Sequence, residues 1–194
     1  MDDMQRAIVA LLVVLASSAL ACGFLEDNAD VTYEEEIPVD FTINANELCQ
    51  QTSSIGDCSK QSAEAPMTVE LSPVEQDIDI DVVEQTGEPA LADASGRFKE
   101  ITITSIEYKS TDNNLTFDTP ELDLYLGPIA AKKHDDKKTF RLTTLPPIPA
   151  GSNETGNAPV SGAAESQASE LFKKLKMSSI PHGTPKIKKG QDLP

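Results

Sequence analysis

The chain has 194 residues, and its 32 acids against 16 lysines and arginines give a formal net charge of −16. That length suits one domain with appendages; with six phenylalanines, three tyrosines and no tryptophan, the core is modest but large enough to fold alone. A surface this acidic repels a phosphate backbone, which argues against nucleic acid as a partner.

The charge is unevenly placed. Residues 1–126 carry 26 acids and 5 bases, a net of −21, whereas residues 127–194 carry 6 acids and 11 bases, a net of +5. The basic third is expected to face the acidic part of its own chain.

In chain order, the first feature is an uncharged apolar run, Ala7 to Leu20. Crossing a bilayer as a helix takes roughly 20 apolar residues. This run is shorter and suits the apolar region of a secretory signal. Met1-Asp2-Asp3 puts two acids where a signal needs positive charge, whereas Met4-Gln5-Arg6 supplies it. Met4 is therefore the expected start.

The run closes on Ala19-Leu20-Ala21-Cys22-Gly23. Residues 4–23 resemble the signal and lipobox of bacterial lipoproteins, with Ala19 where leucine is commonest. The resemblance implies that the Cys22 thiol receives a diacylglycerol, that the leader 1–21 is cut away, and that acylated Cys22 inserts in membrane lipid. Stable attachment takes two or more acyl chains, each buried methylene contributing about 0.8 kcal/mol. Gly23, a non-acidic residue after the cysteine, points by the enterobacterial sorting pattern to the outer membrane.

Residues 22–36 are acidic from Glu26 onward, lack apolar periodicity, and read as a tether. The domain is expected over 37–194. Ile37, Val39, Phe41 and Ile43 alternate with polar residues, the period of a half-buried strand. Cys49 and Cys58 follow in a polar stretch. In an exported protein with Cys22 lipidated, they are expected to form a structural disulfide contributing about 2–3 kcal/mol. Their spacing matches neither a C-x-x-C redox motif nor a zinc motif.

Further strands are predicted at Met67–Leu71, at Asp77–Val82, and at Ile101–Ile106, the last apolar on both faces and central. Others are expected from Leu115 and Phe117, at Leu122–Leu126, and at Phe140–Thr144. Residues 150–162 read as a loop. Ala168, Leu171, Phe172 and Leu175 form one stripe and predict a single helix over about 163–177. Ile187 marks an edge strand or a tail. The fold class expected is mostly β: an antiparallel sandwich with one short C-terminal helix.

Candidate chemistry is sparse. Asp77, Asp79, Asp81 and Glu88 imitate positions 1, 3, 5 and 12 of a calcium loop, but Val82 stands where such a loop needs glycine. The three aspartates are the one metal candidate, and a solvated strand face accounts for them as well. His134, in a lysine-rich loop, and His182, in Pro181-His182-Gly183, read as surface-loop residues that could in principle serve as bases. The chain contains no Gly-x-Ser-x-Gly, Walker or dinucleotide motif, so neither catalytic residues nor a cofactor are expected. The reading is a lipid-anchored, non-catalytic binding or structural domain that meets an envelope protein or polymer. Its rivals are a calcium-dependent adhesion module and an enzyme acting on envelope polymers.

Overall fold

A computed structural model describes residues 6–19, 31–52, 68–95, 97–160 and 162–188, with side chains from residue 35 onward. The fold is mostly β, as the alternation predicts. β1 (Arg6–Ala19) and β2 (Val31–Asn44) form a long antiparallel hairpin. The run expected to be a leader thus takes a strand seat between β2 and β6 (Glu100–Thr111), in a four-stranded sheet ordered β2-β1-β6-β9. β2 also absorbs residues 31–36 of the expected tether, because its pairing with β1 extends to Val31.

Ile37, Val39, Phe41 and Ile43 are all buried. β6 is central but wet on one face, contrary to expectation, since Thr104 and Glu107 are exposed. Opposite Val14 and Leu15 its register skips Thr104. This bulge turns Ile106 to the same buried side as Ile101 and Ile103.

Three short helices were not anticipated. α1 (Ala45–Gln51) starts where the Asn44 side chain accepts from the backbone N–H groups of Asn46 and Glu47. It carries Cys49, which is buried and disulfide-bonded; Cys22 and Cys58 lie outside the described residues. β3 (Thr68–Glu70), β4 (Val74–Glu75) and β5 (Ile78–Asp81) follow. α2 (Val82–Thr86) is capped by Asp81 and closed by Gly87 in the left-handed region, φ 70°. α3 (Pro89–Ala94) starts on a proline, whose missing N–H costs nothing at that position.

Leu115 and Phe117 form no strand. They are buried in an irregular connection organised by Asn113. The Asn113 amide donates to the carbonyls of Pro149 and Ser152, and its oxygen accepts from Leu115 N–H.

The second sheet has five strands. β7 (Leu122–Pro128) pairs with β8 (Phe140–Leu145) on one side and with β10 (Lys176–Gly183) on the other; β4 and β5 line the far edge of β10. The expected loop 150–162 contains β9 (Thr155–Ala158), an edge strand beside β6.

The predicted helix is shorter than its stripe. α4 (Gly162–Phe172) ends three residues before Leu175, which takes a left-handed conformation at φ 59° while staying buried. Lys176 therefore begins a strand rather than ending a helix. Ile187 is buried on β11 (Lys186–Lys188), paired with β3 as an edge strand.

One apolar cluster draws on both sheets and on α4, joining Val39 and Phe41 of β2 to Leu122 and Leu124 of β7 and to Ala168 and Phe172. At the surface, bases of the C-terminal third meet acids of the rest of the chain, as the charge split predicts. Lys132 pairs with Asp77 and Asp79, Lys176 with Asp81, Arg141 with Asp123, and Lys186 with Glu70.

Candidate functional site

β10 was not foreseen as a strand, because Pro181 reads as a turn. It fits because its partners change there: β5 pairs with residues 176–179 of β10 and β4 with His182 and Gly183. A proline in a sheet needs a position where no N–H is required, and a change of partner provides one.

The consequence for His182 is direct. It stands opposite Glu75 of β4 on one side and Asp123 of β7 on the other. Residues level across antiparallel strands share a face, so Glu75, His182 and Asp123 form a row. Tyr125, level with Ile180, lies on that same face by alternation.

A loop from Ile129 to Thr139 folds over this face. The Asp136 carboxylate accepts from the backbone N–H groups of Lys132 and Lys133, and the Thr139 hydroxyl donates to the carbonyls of His134 and Asp136. Ser178 of β10 donates to the carbonyl of Ile129. So braced, the loop lays the His134 ring on that of His182, with centroids 3.7 Å apart and planes 25° from parallel. The Tyr125 ring lies 5.5 Å from His134 and 6.4 Å from His182.

Glu75 Oε1 is the hub. It accepts from the His134 backbone N–H at 3.1 Å, sits 2.6 Å from His134 Nδ1 and lies 3.9 Å from His182 Nδ1. The three side chains are about one quarter to one third exposed, so they are shielded yet reachable. His182 Nδ1 is itself buried and has no hydrogen-bond partner among the described residues. Leaving a buried polar atom unpaired costs about 1–3 kcal/mol.

The electrostatics follow from this packing. Burial pushes the Glu75 carboxyl up, but the hydrogen bonds from the His134 ring and backbone and the charge of both imidazoles outweigh it, so Glu75 titrates below the ordinary glutamate range. Burial, then the His134 charge, holds His182 below the ordinary histidine range, against the pull of Glu75, Asp123 and Asp135. The cluster therefore favours an anionic Glu75 beside a neutral His182, the states in which both offer lone pairs.

The two histidines set apart in the sequence are thus neighbours, and His182 belongs to a strand rather than a turn. Glu75 carried no sequence signal of its own; only the pairing of β4 with β10 identifies it. Asp77, Asp79 and Asp81 do not gather round a common point. Asp77 and Asp79 meet Lys132, Asp79 also accepts from the Ser178 hydroxyl, and Asp81 pairs with Lys176 while capping α2. Lysines relieve the repulsion that a calcium ion would otherwise relieve.

Comparison with protein-family models, with curated proteins and with solved structures finds no match to this chain.

Proposed function

We propose that this chain is a lipid-anchored cell-envelope protein whose β-domain is a non-catalytic binding module, with Glu75, His134 and His182 as its binding site. The convergence of these three side chains on one braced, partly shielded face carries the binding role. Cys22, two residues past the end of a 14-residue apolar run, supports the anchor, and Gly23 supports the outer membrane.

The register of β1 supports the leader from another side. Ala10 stands level with Asp40 and Lys109, Leu12 with Pro38 and Glu107, and Val14 with Glu36 and Ser105. An uninterrupted apolar run is a poor complement to neighbours that are polar on one face, and a good one to a translocating membrane.

The test follows radiolabelled palmitate and partner capture in envelope fractions. Wild type is expected to carry label and sediment with membranes; Cys22→Ala is expected to lose both. Glu75→Gln is expected to keep the label but lose partners that the wild type retains. An unlabelled wild type overturns the anchor, and identical capture by Glu75→Gln overturns the site.

The short contact between His134 and Glu75 favours a second reading, an acid–base pair in an enzyme acting on envelope polymers. Turnover of peptidoglycan or polysaccharide by wild type but not by His134→Gln would establish it in place of the first. The calcium reading retains its own check, a melting temperature raised by millimolar calcium.

A further inference from the structure

We propose that Glu75, His134 and His182 form a site for a divalent transition metal of the zinc type, bound through Glu75 Oε1 and the Nδ1 atoms of both histidines. The inference deepens the binding-site reading given above and rests on it.

Three observations lead there. First, the three donor atoms all lie within 4.8 Å of one another. Ligands of one tetrahedral zinc, with bonds of about 2.0–2.1 Å, stand roughly 3.3 Å apart. The Glu75–His134 contact must open from 2.6 Å and the Glu75–His182 contact must close from 3.9 Å, both shifts of less than about 1 Å. The rings are stacked 25° from parallel, which holds their in-plane lone pairs nearly side by side, so sharing one ion would require the rings to unstack by rotation about χ2. Second, His182 Nδ1 is a buried acceptor or donor left unsatisfied, and a metal bond would satisfy it. Third, the members sit on separate supports, two strands and a braced loop, so one ion would join three parts of the chain.

The donor set chooses the class of ion. Two imidazole nitrogens and one carboxylate suit zinc, copper or nickel, whereas calcium and magnesium prefer all-oxygen shells. Three protein ligands also leave one position open. That position would accept solvent or a donor atom from a bound partner, so the metal would act as a bridge in recognition.

The experiment titrates the purified full-length chain with zinc chloride in calorimetry, in excess calcium and magnesium, and repeats the titration with cobalt(II) as an optical reporter. We expect one zinc per chain, d–d bands of tetrahedral intensity with cobalt, and affinity at least tenfold weaker in Glu75→Gln, His134→Gln and His182→Gln. Glu170→Gln, on α4 and outside the cluster, should bind as wild type does. His134 lies on a surface loop, so His134→Gln keeps the test decisive if the strand variant misfolds. No stoichiometric zinc binding, or equal binding by Glu75→Gln and His134→Gln, overturns the metal site. If zinc fails while Glu75→Gln still loses its envelope partner, the metal inference alone falls. If zinc fails and partner capture is also unchanged, the binding-site reading falls with it.

Discussion

The two larger sheets share a core but differ in how their strands match their neighbours. In the second sheet the alternation of β7 suits its seat. Leu122, Leu124 and Leu126 of β7 point into the core, while Asp123 and Tyr125 face the side where His182 and the 129–139 loop lie. In the first sheet β2 and β6 each have a wet face, yet the strand between them is apolar throughout Ala7–Leu15. Such a strand is joined to its neighbours by backbone pairing, which many segments can supply. On the proposed leader reading, the first sheet gives up its central strand on maturation, whereas the second is complete without it.

The strongest test removes that strand. Residues 23–194 are expected to fold with a cooperative melt and with slowly exchanging amides in β7, β8 and β10. If this chain is unfolded while residues 1–194 fold, β1 is structural and the leader reading fails.

Point substitutions sharpen the contrast. Leu124→Ala deletes a side chain only 1 % exposed and should cost about 2–5 kcal/mol in urea denaturation. If the leader is cut away as proposed, Leu12→Ala should leave the mature protein's midpoint unchanged. A loss comparable to that of Leu124→Ala would place β1 permanently in the core.

Asn113→Ala is expected next, at about 2–3 kcal/mol. It strips hydrogen bonds from Pro149, Ser152 and Leu115 in the connection leading into β7. A variant as stable as wild type would show that solvent replaces all three bonds.

The smallest effect concerns the ion pairs flanking the site. A hydrogen bond from Lys176 holds Asp81 below the ordinary aspartate range, and one from Lys132 does the same for Asp77. Carboxyls depressed in this way contribute stability above their unfolded values, about pH 4. That contribution is lost as pH falls through the lower folded values. Because both pairs are exposed, 1 M salt should erase most of it. Lys176→Met should flatten this limb of the stability profile, and an unchanged limb would remove the pair from the account.

Legibility in the sequence followed the source of each element's stability. Strands that bury one face, such as β2 and β7, announce themselves by alternation, and so does the stripe of α4. Elements set by a single local bond or a distant partner are harder to see. Asp81 served the sequence reading as a calcium candidate, yet its carboxylate caps a helix and meets a lysine. Leu175 continues the helical stripe, but burial against the core is achieved after the chain has left the helix. Strict alternation sets Ile106 on the face opposite Ile101 and Ile103, and the bulge at Thr104 reverses it. The site was least visible of all. His134 and His182 meet only because β10 lies between β4 and β7, a pairing that neither histidine's neighbours encode.

The loop that carries His134 also carries Lys132, Lys133, Lys137 and Lys138, all exposed. Trypsin cleaves after lysine, so the segment that completes the site doubles as a built-in cutting station. Occupancy that immobilises His134 should slow nicking between Lys132 and Lys138, while exposed Lys174, two residues past the end of α4, is cut at an unaltered pace. A protease time course thus reads whether the cleft is filled, without knowing by what.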